Sequence, residues 1–97
     1  MRLIALSTLK AFWKRHPDAE QPLLSWHQQV RNADWKSPAD VKAEYRSGSI
    51  LSDGRVVFNI AGNKFRLVVW INYDFFTIYV RFVGTHEEYD EIDAQTV

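Results

Sequence analysis

The chain has 97 residues, 46% hydrophobic and 25% charged, with 12 basic and 12 acidic side chains that cancel to zero formal charge, and it has no cysteine. A chain of this length hides roughly two-thirds of its unfolded surface, enough for one domain over residues 1–97, while the lack of cysteine excludes disulfide scaffolds and thiolate metal sites and fits a reducing cytoplasm. Zero net charge excludes a protein that coats nucleic acid by bulk electrostatics, and no apolar run is long enough for a membrane span or a signal peptide.

The charge is unevenly spread. Seven basic and four acidic residues lie between Lys36 and Arg81, whereas after Arg81 there are five acidic residues and no basic one. A basic middle therefore precedes an acidic tail.

Arg2 to Leu6 reads as a short strand, followed by Ser7 as N-cap of a helix whose apolar stripe is Leu9, Phe12, Trp13 and His16, closed by His16-Pro17. A second helix is predicted to start between Asp18 and Gln21, with Pro22 early in it and Leu23, Trp26, Val30 and Ala33 as its buried stripe. Ser37-Pro38 predicts an N-cap and an N1 proline for a short helix to Ala43. Ser47 to Leu51 is a weak strand, and Asp53-Gly54 is a hairpin signal because both residues tolerate positive φ. Arg55 to Ile60, Lys64 to Asn72 and Thr77 to Val83 follow as strands of an antiparallel meander, with Gly62-Asn63 and Tyr73 to Phe76 as the turns and Gly84 as the end. Thr85-His86-Glu87-Glu88 has capping-box spacing and predicts a last short helix. The fold class is α+β.

Strand alternation divides the sheet into two faces. Val56, Phe58, Ile60, Phe65, Leu67, Val69, Ile71, Ile78, Val80 and Phe82 make an apolar face for the helices to cover. The opposite parity holds Arg55, Val57, Asn59, Lys64, Arg66, Val68, Trp70, Asn72, Thr77, Tyr79, Arg81 and Val83, a face expected to be open. Arg66 and Arg81 on neighbouring strands are expected side by side, which is unfavourable unless an anion or a carboxylate lies with them. Phosphate satisfies both, and Trp70 and Tyr79 offer planes for base stacking, a combination suited to single-stranded RNA. Ion pairing of these arginines with the acidic tail is the plainer alternative.

His86 follows the predicted N-cap, where the positive helix end opposes a charged imidazolium and leaves the neutral ring available as a general base. With Arg66 and Arg81 it would remove a proton from a ribose 2′-hydroxyl and stabilise the phosphate. Tyr89 lies one turn on as a second proton donor or a stacking surface, and Asp90 at i+4 is placed to orient the imidazole. No metal site is expected, because the cluster of His86, Glu87, Asp90, Glu91 and Asp93 contains one histidine and no known ligand spacing. His16 and His27 read as packing or surface residues.

Phe12-Trp13, His16-Pro17-Asp18-Ala19-Glu20, Asp34-Trp35-Lys36, Val57-Phe58-Asn59-Ile60, Gly62-Asn63-Lys64-Phe65-Arg66-Leu67 and Gly84-Thr85-His86-Glu87-Glu88-Tyr89-Asp90 together resemble the HigB-type toxins of bacterial toxin–antitoxin pairs, over nearly the whole chain. The resemblance implies a RelE-like fold and an mRNA interferase that cuts on the ribosome by attack of a 2′-hydroxyl, with no metal or other cofactor. It also implies inhibition by a HigA-type helix-turn-helix antitoxin, with DNA met only through the antitoxin complex. By the match, Arg66, His86 and Tyr89 are the expected catalytic residues, joined by Arg81. Lys64, Arg55, Asn59, Trp70 and Tyr79 are the expected RNA contacts. The alternative is a non-enzymatic toxin in the manner of the ParE branch, which acts on DNA gyrase. A decayed toxin is a third reading.

Overall fold

Apolar side chains recurring every second residue on the long strands, and every third or fourth on the helices, can leave water only by facing one another. The computed structural model describes residues 1–97, in the order β1 (Arg2–Ile4), α1 (Leu6–Arg15), α2 (Glu20–Arg31), α3 (Pro38–Glu44), β2 (Ser49–Ile50), β3 (Arg55–Ile60), β4 (Phe65–Asn72), β5 (Thr77–Thr85) and α4 (His86–Asp90). Two 3₁₀ turns, Pro17–Ala19 and Ser52–Gly54, lead into α2 and β3. The strands form one sheet in the order β1-β5-β4-β3-β2, antiparallel from β2 to β5, with β1 added parallel to β5. This is the α+β, RelE-like arrangement expected. No helix is long and apolar enough to cross a membrane.

The main core lies between the helices and one sheet face. Leu9 and Phe12 of α1, Leu23, Trp26 and Val30 of α2, and Val41 of α3 pack onto the face that carries Val56, Phe58, Ile60, Leu67, Val69, Ile71 and Ile78. Each such side chain contributes about 1.5–3 kcal/mol when fully buried. Trp35, in the connection before α3, stacks 6.3 Å from Phe58 and donates its indole N–H to Glu44 at 3.2 Å. That hydrogen bond satisfies the one polar group a buried tryptophan carries.

Several element ends differ from the expectation. α1 begins at Leu6 after Ala5, and Ser7 caps nothing; Leu6 packs on the core, and the Thr8 N–H donates to the Ala5 carbonyl at 3.2 Å, so the first turn closes one residue early. α3 does begin at Pro38, but Ser37 makes no side-chain cap, and Asp40 instead accepts the Lys36 N–H at 2.9 Å. β4 starts at Phe65, which leaves Lys64 in the turn. Asp53 and Gly54 adopt φ of 59° and 84°, as their turn requires.

The largest difference is in β5. Val68 pairs with Phe82 but Val69 pairs with Val80, so Arg81 is an extra, unpaired residue in a β-bulge. A slip of one residue sends every later side chain to the other face. Phe82, expected in the helix-covered core, lies on the opposite face, and Val83, expected on that face, packs against the main core. β5 also continues through Gly84 to Thr85, with Gly84 directly opposite Arg66.

Nor is the second face open. A segment after α4 folds back so that Ala94 is buried against Val57 and Val68, with Leu51, Phe82, Tyr89, Ile92 and Val97 around them. Val57 and Val68, two of the apolar residues that strand parity put on this face, are the floor of a second, smaller core.

Candidate active site

Strand register divides the second face into three rows. Asn59, Arg66 and Gly84 stand opposite one another at one end; Val57, Val68 and Phe82 form the middle row under the C-terminal segment; Arg55, Trp70 and Tyr79 form the far row. At about 3.3 Å per residue, the first and last rows, four residues apart along β4, are about 13 Å apart. The predicted residues therefore fall into two groups rather than one.

In the far group, Trp70 lies 5.4 Å from Tyr79 between ring centroids and donates its indole N–H to the Asp53 carbonyl at 2.6 Å. Arg81 is displaced by the bulge toward this end. Its Nε and a terminal nitrogen of Arg55 each donate to the main-chain oxygen of Val97 at 3.2 Å. The expectation that Arg66 and Arg81 lie side by side is thus corrected: the guanidinium that shares an acceptor with Arg81 is that of Arg55. The acceptor is the main-chain oxygen of Val97, not a side-chain carboxylate of the acidic tail.

The near group is built where β4 begins and β5 ends. Arg66 holds its guanidinium by donating to the carbonyls of Asn63 at 3.0 Å and Phe65 at 3.3 Å, and it lies 5.9 Å from the centre of the Tyr89 ring. Tyr89 reaches this position because α4 starts directly after β5. Thr85 accepts the Glu88 N–H at 3.2 Å, and the Glu88 carboxylate accepts the Thr85 N–H at 2.8 Å, the reciprocal cap expected from the spacing. That backbone hydrogen bond holds the Glu88 carboxyl below its ordinary value against a small opposing effect of burial.

Gly84 lets the strand end pack closely. A Cβ built there would stand 2.5 Å from the tip of the Phe82 ring and 3.1 Å from a Glu88 carboxylate oxygen. A side chain at this position would collide with both the second core and the cap.

His86 is exposed at the first position of α4, its N–H donating to the Lys64 carbonyl at 3.0 Å and its Nδ1 standing 3.3 Å from the Asp90 carboxylate. Asp90 is thus placed to orient the ring through Nδ1, which leaves Nε2 free. The imidazole lines a recess of about 500 Å³ together with His16, Asp18, Asn63, Lys64 and Thr85. Arg66 does not line it. Lys64 lies within the recess, and Arg66 lies outside it against Tyr89.

Lys64 forms an ion pair with Asp18 across the recess. That hydrogen bond is the main reason the Asp18 carboxyl is held below its ordinary range, with a small effect from His16. His16 is half-buried: its ring stacks on Phe12 at 4.6 Å, and Phe12 meets Phe65 edge-on at 5.3 Å. The wall of the recess is therefore anchored to the main core. Neither His16 nor Asp18 nor Asn63 was singled out as a site residue from sequence. Helical spacing places His16 at the end of α1 but cannot reveal that this end meets the start of β4.

Residues 19–92 match a family of HigB toxins, described as the RelE-like toxic component of a toxin–antitoxin system. Similar proteins include the mRNA interferase toxin HigB of Escherichia coli strain K12, and the mRNA interferases HigB of Escherichia coli O157:H7 and Shigella flexneri. Each is 30% identical over 96 residues, which is 97% of this chain and 92% of the relative. The chain belongs to the HigB toxin family.

Proposed function

We propose that this toxin is an mRNA interferase that cuts mRNA on the ribosome by attack of a ribose 2′-hydroxyl on the adjacent phosphate, without a metal ion. One observation carries the reading: His86, with Asp90 at Nδ1 and Lys64 beside it, faces a recess at the same end of the sheet as Arg66 and Tyr89. The family and the names of the relatives supply the substrate class.

In this reading His86 Nε2 takes the 2′-hydroxyl proton, and the fork of Arg66 stabilises charge on the phosphate as the bond to the 2′-oxygen forms. Tyr89 supports Arg66 from below and presents its phenol to the substrate. Lys64 and Asn59 contact the RNA close to the scissile bond. Arg55, Trp70 and Tyr79, with Arg81, belong to an outlying contact surface about 13 Å away, so Arg81 acts on binding more than on chemistry. Zero net charge leaves little affinity for bulk RNA, and a ribosome that presents the transcript removes the need for it. The partner in the resting state is a HigA-type antitoxin in the cytoplasm.

The test is incubation of purified protein with translating and with naked mRNA, followed by mapping of the cut ends. Cleavage on ribosomes to a 2′,3′-cyclic phosphate and a 5′-hydroxyl, lost in both Arg66→Ala and His86→Ala, supports the reading. Toxicity undiminished in both variants sinks it.

A further inference from the structure

The recess contains a second histidine that the proposed reaction leaves idle. Attack by a 2′-oxygen needs a base to remove its proton, and it needs an acid as well, because the departing 5′-oxygen is a poor leaving group until it is protonated. His86 fills the first need. Arg66 is engaged with two carbonyls, Lys64 is paired with Asp18, and Tyr89 lies against Arg66 outside the recess, so none of the three is placed to give up a proton in the recess.

His16 is suited. It lines the same recess as His86, it belongs to a different element, and its ring is held by the stack on Phe12, which is itself fixed against Phe65. The charged groups about it are Lys64, Asp18 and Glu87 in the recess, and Arg15 and Glu88 beside it. The Asp18 carboxylate, two residues on from His16 and paired with Lys64, lines the recess with it. The recess of about 500 Å³, open to solvent, also lies within the size range of small-ligand sites.

We propose that His16 is the general acid of the cleavage reaction, working opposite His86 on the same scissile phosphate. The inference rests on the reading of His86 as general base. The step balances within the two rings: His86 Nε2 takes the 2′-hydroxyl proton, the 2′-oxygen bonds to phosphorus, the bond from phosphorus to O5′ breaks, and O5′ takes the proton of the His16 imidazolium. The products are a 2′,3′-cyclic phosphate and a 5′-hydroxyl, and exchange with water restores both rings.

The experiment measures single-turnover cleavage of a short synthetic mRNA on programmed ribosomes, with either the natural 5′-oxygen or a 5′-bridging sulfur at the scissile phosphate. Sulfur leaves without protonation, so it removes the need for an acid and keeps the need for a base. The expected result is a loss on the order of 10²–10⁴-fold for His16→Ala on the oxygen substrate and a rate close to that of the unsubstituted protein on the sulfur substrate. His86→Ala is expected to lose activity on both. His16→Phe keeps the ring stacked on Phe12 and the fold with it, and it should behave as His16→Ala does. An equal loss on both substrates, or cleavage of the oxygen substrate undiminished in His16→Phe, overturns the assignment of His16 and leaves that of His86 standing. Full activity of His86→Ala, or no cleavage of either substrate by the unsubstituted protein, overturns both.

Discussion

Replacing Arg66 by alanine separates chemistry from folding. Its guanidinium donates to two carbonyls and lies over Tyr89. The aromatic contact contributes about 0.5–1 kcal/mol at a half-exposed site, and the hydrogen bonds, which water can replace, about 1 kcal/mol. A domain of this size is stable by at least about 5 kcal/mol, so Arg66→Ala retains about 3 kcal/mol and leaves under about 1% of molecules unfolded. Loss of a preformed donor to the transition state costs on the order of 10²–10³ in rate. Ribosomal cleavage by Arg66→Ala should fall by that factor with a melting curve that stays cooperative. Arg66→Lys should fall by less, because it keeps the charge and loses the fork. Arg81→Ala, on the far side of the middle row, should lose less than either. Cleavage by Arg66→Ala within about threefold of the unsubstituted protein, a change of under about 1 kcal/mol, would refute the placing of Arg66 on the phosphate.

Three further outcomes follow from the packing. Gly84→Ala should destabilise the fold by about 1–3 kcal/mol in urea unfolding, because the added methyl displaces the Phe82 ring or the Glu88 cap; an unchanged midpoint would show that neither is fixed. Glu88→Gln keeps the capping geometry and removes the charge. The Glu88 carboxyl is lowered from 4.5 in the fold, so its contribution is present above that value and disappears as pH falls through the folded value. The stability gap between Glu88→Gln and the unsubstituted protein should therefore close on acidification, and a gap that widens refutes the sign. Tyr45 runs the other way: burial, with some help from Glu44, raises its phenol from 10.0 to about 12. Its stabilising effect is complete below pH 10 and is lost as pH rises through about 12, so Tyr45→Phe should flatten the alkaline limb of unfolding and remove one late phenol from an absorbance titration.

Local chemistry carried the expectation furthest. The Thr85 to Glu88 cap, the Asp53-Gly54 turn and the placing of Trp70 and Tyr79 on one sheet face each depend on residues close in the chain or directly across a hairpin, and each is present as read. Alternation failed beyond Arg81 because a bulge is a property of two strands together, and nothing in Tyr79 to Val83 alone marks which residue is extra. The second face read as open for a similar reason. Its valines are buried, but the segment that covers them returns from Ile92 to Val97, and no spacing rule connects Ala94 to Val57 and Val68. His16 is the sharpest case, since its helical spacing correctly suggests packing on Phe12 while its position in the recess depends on where β4 and α4 come to rest.

The edge strand β1 bears on when the candidate site is completed. Arg2, Leu3 and Ile4 have β5 as their sole strand partner, Arg2 meeting Thr77 and Ile4 meeting Tyr79. Contacts so distant along the chain form late and slow folding. During synthesis, a nascent chain whose β5 is still inside the exit tunnel has neither a completed sheet nor the α4 that carries His86. The sheet and the candidate site are therefore completed together.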